Sequence, residues 1–420
     1  MSTKSTPSVQ FTTRFPSGGF KEILARDRAR AAKILAGVTP HGPAHHKRHR
    51  HHHGHHHAHN GAAAPTVKST GLGTAAPVAA GGTAASVDAT DSGVTYTLSV
   101  GVGEPATQYT LLIDTGSSNT WVGASTKYTP TSTSKSTGDK VTVSYGSGSF
   151  SGTEYTDTVT LASDLVITNQ SIGVASTATG FSDVDGILGI GPVDLTSSTV
   201  SGESSVPTVT DNLFSQGTIP SDTIGISYAP SSTANAPNGS LDFGGTDSSK
   251  YTGELVYTPI TSTSPASEYW GIDQSVSYGS TSILSSTSGI VDTGTTLLLL
   301  ATSAFTAYTK ATGGVEDSTT GLLTITEAQY EKLQPLVFTV GSTTYSLSAN
   351  AQIWPRALNS TLGGDASKIY LVAADLGSDI GQGLDFINGF AFLQRFYSVF
   401  DTGNKQVGFA TTEYTDATTN

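Results

Sequence analysis

The sequence predicts a mainly β protein built from two similar lobes that meet face to face. Three observations carry this reading. Of 420 residues, 47 are glycine and only 13% are charged, with serine and threonine abundant. Long-helix and coiled-coil proteins are instead rich in Glu, Lys and Arg. From about residue 94 to 410, short apolar runs alternate with Gly/Ser/Thr turns, the signature of many short strands. Finally, an apolar run ending in Asp-Thr-Gly and a hydroxyl residue occurs twice. Residues 111–122 read LLIDTGSSNTWV and residues 289–300 read GIVDTGTTLLLL.

The segments follow in order. Residues 1–80 carry a net +9 and residues 81–420 a net −21, and all 11 histidines lie between His41 and His59. Residues 20–38 predict a helix. Ile23, Leu24, Ala31, Ile34 and Leu35 recur at helical spacing, and Gly37 fits a stop. This segment is Arg-rich and acid-poor, so a transit peptide is an alternative reading. Residues 41–60 form a His/Arg/Lys-rich tract and residues 62–85 an Ala/Gly/Pro/Thr-rich stretch. Both read as linker, with Zn²⁺ or Ni²⁺ binding as the alternative for the histidines. No secretory leader is visible after Met1, and no apolar run is long enough to span a bilayer. Strands are predicted at residues 95–102, 109–113 and 141–145.

The chain has no cysteine, and no histidine after residue 80. A Ser-His-Asp triad, a Cys nucleophile, a disulfide framework and a Cys/His zinc site are therefore excluded from the β region. A net charge of −21 argues against a nucleic-acid partner. Carboxylates, hydroxyls, tyrosines and a few cations remain for chemistry.

Asp114 and Asp292 each end a buried-strand pattern and enter a tight hydroxyl-rich turn. A carboxylate so placed is expensive unless hydrogen bonds satisfy it. Two carboxylates within hydrogen-bonding reach cannot both ionise readily and share a proton. One can then act as base on a water while the other polarises a carbonyl, which predicts activity at acid pH. A third Asp-Thr-Gly, at Asp401, precedes a polar turn and reads as a structural hairpin.

Over residues 83–415 the sequence resembles the pepsin-like aspartic proteases. The resemblance rests on the two Asp motifs and on VTVSYGSGSFSG (141–152), DGILGI (185–190), EYWGI (268–272), FING (386–389) and RFYSVFDTGNKQVGFA (395–410). It implies a bilobal pepsin-like fold with an N-terminal lobe at 83–258 and a C-terminal lobe at 259–420. It also implies an endopeptidase with Asp114 and Asp292 catalytic. The family's paired aspartates are the precedent for the shared proton. Thr115 and Thr293 would cross-link the two loops. Gly116 and Gly294 would allow close backbone approach, and Ser117 and Thr295 would donate to the outer carboxylate oxygens. Tyr145, held by the indole of Trp121, and the tip Gly146, Ser147 and Gly148 would form a flap over the substrate. Leu112 and Tyr269 would line the cleft. Phe390 stands where many members carry an aspartate.

The same resemblance implies polypeptide substrates, inhibition by pepstatin, a monomer, and no metal or cofactor. It also implies an extracellular or acidic location. Residues 1–82 would be a basic propeptide, attracted to the acidic enzyme near neutral pH and released in acid, with maturation near residues 75–85. Asn169, Asn238 and Asn359 are candidate glycosylation acceptors. Two other readings stay open: a catalytically dead binding protein of the same fold, and a Ser/Thr-rich adhesin.

Overall fold

The computed structural model describes residues 19–37, 85–91, 96–182, 184–233 and 236–420. The His-rich tract and all but the last residue of the expected maturation region at 75–85 lie outside them. Among the described residues the strands form sheets of 13, seven and three strands.

The Asp-bearing segments are built alike. Thr107–Asp114 runs parallel to Gly186–Gly189, pairing Asp114 with Gly189. Trp121–Val122 then lies antiparallel to Gly186–Gly189 and parallel to Leu165–Thr179. In the second half Thr281–Val291 runs parallel to Phe386–Asn388. Leu298–Leu300 lies antiparallel to Phe386–Asn388 and parallel to Ala373–Asp375. The near-repeat in the sequence is thus a repeat of strand, turn and return strand. Both elements are near-continuous apolar runs because both of their faces are buried.

The lobes share a sheet. The C-terminal hairpin Phe396–Asp401 and Gln406–Thr411 joins the 13-stranded sheet through Thr223–Tyr228, and Val256–Pro259 pairs with Gln406–Thr411. The boundary expected at 258/259 therefore falls inside a strand, at the end of a sheet that holds both ends of the β region. Asp401 closes this hairpin, accepting from the N–H and Nδ2 of Asn404 at 3.0 and 2.8 Å. Phe390 opens a short helix and packs against Tyr96, ring centroids 4.9 Å apart; the position is structural.

Strands Lys135–Ser144 and Ser149–Ala162 form the hairpin expected as the flap, whose turn is closed by Tyr145 N–H donating to Gly148 O at 2.7 Å. Under it Trp121, Val141, Val143, Tyr145, Phe150 and Ile187 pack together.

The predicted helix is present as Gly19–Leu35, with Gly37 beyond it at φ +59°. It is docked rather than free. Phe20, Ile23, Leu24, Ala31 and Ile34 are buried with Tyr269, Leu297, Leu322, Trp354 and Tyr370 of the C-terminal half. Burying each large apolar side chain stabilises docking by about 1.5–3 kcal/mol. Asp27 and Arg30 lie on the same buried face.

Candidate active site

The two Asp-Thr-Gly turns meet back to back. Thr115 N–H donates to Thr293 Oγ1 at 2.9 Å, and Thr293 N–H donates to Thr115 Oγ1 at 3.0 Å. Each hydroxyl then donates to the strand of the other half: Thr115 to Val291 O at 3.2 Å, Thr293 to Ile113 O at 2.9 Å. Four buried bonds so fix one turn against the other. Thr115→Val would orphan the Thr293 N–H and the Val291 carbonyl. Unsatisfied buried groups cost about 1–3 kcal/mol each, so the thermal unfolding midpoint is expected to fall markedly. An unchanged midpoint would show that these bonds do not hold the halves together.

Each aspartate is held symmetrically and is fully buried. Gly116 N–H donates to Asp114 Oδ1 at 3.0 Å and the Ser117 hydroxyl donates to Asp114 Oδ2. Gly294 N–H and Thr295 Oγ1 donate to Asp292 at 2.9 and 2.7 Å. The glycines are sterically required. A Cβ on Gly116 would stand 2.7 Å from Asp292 Oδ1, and one on Gly294 would collide with Asp114 Oδ1. Each turn therefore presses its backbone on the opposite carboxylate.

One further residue completes the cluster, and it comes from the N-terminal helix. Arg30 donates from Nη2 to Asp114 Oδ1 at 2.5 Å and to Asp292 Oδ1 at 3.2 Å, and from Nε to Asp292 Oδ2 at 2.7 Å. A guanidinium is the side chain whose planar fork can span two carboxylates. Burial works against the charge of Arg30, but the two carboxylates outweigh it and raise its pKa. For Asp114, burial alone would raise the pKa; Arg30, the Ser117 hydroxyl and the Gly116 N–H together hold it below the ordinary value. For Asp292, burial dominates and the charge of Asp114 adds to it, so its pKa is raised despite Arg30.

The rest of the helix is fastened around this contact. Asp27 Oδ2 accepts from Thr296 N–H at 3.0 Å and Leu297 N–H at 2.9 Å. Burial, opposed by Arg26 and these two N–H groups, pushes Asp27 up to about 6. Arg26 Nη2 donates to Thr296 Oγ1 at 3.0 Å and Arg28 Nε to Asp375 O at 2.9 Å. Lys33 sits 5.9 Å from the centre of the Tyr145 ring. At the flap turn, a Cβ on Gly146 would stand 2.6 Å from Ala29 O, and φ there is +84°. Docked, the helix fills the space between flap and aspartates.

The other expected site residues are placed as follows. Trp121 is fully buried, stacked on Phe150 at 4.2 Å and 6.5 Å from the Tyr145 ring. Burial and then the charge of Asp114 raise the Tyr145 pKa, while the neighbouring Trp121 indole and Arg30 oppose the rise. Gly146 and Ser147 are exposed and Gly148 is half-buried. Leu112 is half-buried against the Trp121 cluster. Tyr269 is buried with the helix's apolar residues; burial raises its pKa, and both dyad carboxylates and Arg30 act on it. Asn169 is exposed, whereas Asn238 donates to Ala229 O at 2.6 Å. Asn359 corrects a sequence expectation. It is fully buried and its Nδ2 donates to Lys368 O at 2.8 Å and Asp365 O at 3.3 Å, so this fold has no room for a sugar there.

Arg30 and Asp27 were not singled out by the sequence. Their signal was present: residues 20, 23, 24, 27, 30, 31 and 34 share one helical face, and a charged pair interrupts its apolar stripe. Charges inside such a stripe need buried partners.

The fold and this paired-carboxylate centre agree with what known proteins show. Residues 95–412 match the sequence model of the eukaryotic aspartyl proteases, and the chain belongs to that family. It is an aspartic endopeptidase with the bilobal pepsin-like fold. It is similar to polyporopepsin of Irpex lacteus, 65% identical over 340 residues, which are 80% of this chain and all of that protein. It is also similar to rhizopuspepsin-1 of Rhizopus niveus, 35% identical over 76% of this chain and 79% of that one. A crystal structure of aspartic proteinase from Irpex lacteus superposes with a TM-score of 0.79, covering 80% of this chain and all of that one.

Proposed function

We propose that the chain is the zymogen of an acid endopeptidase, held shut by its N-terminal helix, with Asp114 and Asp292 sharing a proton and activating water once the helix leaves. The observation that carries this reading is the Arg30 guanidinium seated on both aspartates. A guanidinium there bridges both carboxylates and takes the place a peptide and a water would need. With the helix gone, the two carboxylates repel and one keeps its proton. The ionised one draws a proton from water as the water attacks the scissile carbonyl, and the protonated one donates to the developing oxyanion. Ser117, Thr295, Gly116 and Gly294 keep the pair oriented, and the flap residues Tyr145 to Gly148 close over the substrate. Neither a covalent intermediate nor a metal is needed.

The reading includes polypeptide substrates, pepstatin as inhibitor, a monomer, and work in an extracellular or acidic compartment. It includes release of residues 1–82, and a mature enzyme of two lobes meeting near residue 258. Polyporopepsin, at full length, matches only 80% of this chain, which is consistent with a removable segment. The dead-binder alternative is disfavoured because both aspartates, both threonines and Tyr145 are all present.

The test is cleavage of a denatured protein across pH 2–7, with and without pepstatin, by the full chain. Acid-dependent, pepstatin-sensitive cleavage that appears after a lag is expected, the lag tracking loss of the N-terminal segment. Cleavage at full rate by the uncut chain at pH 6 would sink the zymogen reading.

A further inference from the structure

The docked helix marks a second place on the enzyme, away from the aspartates. Phe20 is buried there between two aromatic rings. Its centroid lies 5.4 Å from Trp354, edge to face, and 5.1 Å from Tyr370. Leu358 and Leu362 belong to the same apolar cluster. The N–H of Phe20 donates to Leu362 O at 2.9 Å, so the socket takes a ring and a backbone N–H together.

The walls do not depend on Phe20. The Trp354 backbone N–H donates to Tyr370 O at 2.8 Å. The Tyr370 hydroxyl accepts from Asp365 N–H at 2.8 Å and donates to Asp317 at 3.3 Å, and Lys368 pairs with Asp317 at 2.9 Å. The buried Asn359 amide ties Lys368 and Asp365 to the same loop. The Tyr370 ring and the Trp354 backbone are held by bonds internal to the C-terminal half, so the frame of the socket persists when the helix departs. An aromatic-walled site that stays built and loses its occupant is a binding site for another ring.

Its distance from the reaction follows from the helix. Ten residues separate Phe20 from Arg30, about 15 Å of helix at 1.5 Å per residue. An extended chain covers that span in four to five residues at about 3.3 Å each. We infer that, in the enzyme freed of its helix, the Trp354–Tyr370 socket binds an aromatic side chain of the polypeptide substrate, roughly four to six residues from the scissile bond. This rests on the zymogen reading. Trp354 and Tyr370 then set specificity without touching the reacting atoms.

Such remote contact is equal in ground and transition states, so it lowers KM and leaves kcat unchanged. The experiment uses the acid-activated full chain and peptides that share one cleavage sequence. A single Phe is moved stepwise through alanines, from three to eight residues away on either side. One register is expected to lower KM about tenfold, with kcat constant. Trp354→Leu should erase that advantage and cleave the all-alanine peptide as the wild type does. A peptide of residues 18–37 should compete with the preferred peptide, and its Phe20→Ala form about tenfold less well. Equal KM in every register would overturn the socket while leaving the protease reading intact, and this readout needs no variant to fold. Absence of cleavage of every peptide would overturn the protease reading and the socket with it.

Discussion

Replacing Arg30 by glutamine is expected to switch on the intact chain at pH 6–7, raising the initial cleavage rate about 10²- to 10³-fold. The guanidinium makes three short contacts to two fully buried carboxylates. Removing one partner of a buried ionic contact typically costs about 3–5 kcal/mol, and each 1.36 kcal/mol is tenfold in population. The apolar anchors Phe20, Ile23, Leu24 and Ile34 remain, so the helix still docks, but weakly. Arg30→Lys should fall between the two, because a point charge cannot fork across both carboxylates. The check is hydrolysis of a quenched peptide in the first seconds, with the chain shown to be uncut. An Arg30→Gln chain as silent as the wild type would mean that the helix inhibits by bulk alone.

The pH dependence of release follows from the same contact. Arg30 pulls both Asp114 and Asp292 down, leaving Asp114 below its ordinary value and Asp292 still above it. The docked state therefore binds fewer dyad protons in acid than the released state does. For Asp114 that support is present above the ordinary carboxylate value and is lost as pH falls through its depressed one. Asp27 has the opposite sign. Docking raises it to about 6, so proton uptake between there and the free value favours the docked state. Asp27→Asn removes this counterweight and should sharpen the release.

Asp292→Asn should cost at least about 10³-fold in kcat, the scale of lost general acid–base catalysis, with the fold kept. The amide oxygen can still accept from Gly294 N–H while its Nδ2 donates to Thr295 Oγ1, so the turn retains its bonds. An asparagine cannot hold the shared proton, and the dyad loses the acid that donates to the oxyanion. Peptide turnover at pH 3–4, alongside an unfolding midpoint, measures this. Turnover within tenfold of the wild type would show that Asp114 works alone.

Much of the centre was legible because it is local. Asp114 with Gly116 and Ser117, and Asp292 with Gly294 and Thr295, each lie within four residues, and their apolar strands announce them. The helix was legible from its 3.6 period. What could not be read was anything requiring a partner distant in sequence. Arg30 is separated from Asp292 by 262 residues; only the interruption of an apolar stripe hinted at it. Asn359 has the form of a sugar acceptor, and only its amide bonds to Lys368 and Asp365 reveal a loop brace. The hairpin at Asp401 was read correctly, but not its place in the sheet of the first lobe.

That place governs the order in which the molecule can be assembled. Thr223–Tyr228 has Phe396–Asp401 as one of its two neighbours, and that neighbour is synthesised some 170 residues later. During translation the growing sheet exposes an unpaired edge along Ile224 and Ile226, the kind of edge that recruits stray strands. Completion of the first lobe must wait for almost the whole chain. A ribosome-bound fragment therefore carries Asp114 in an unfinished sheet.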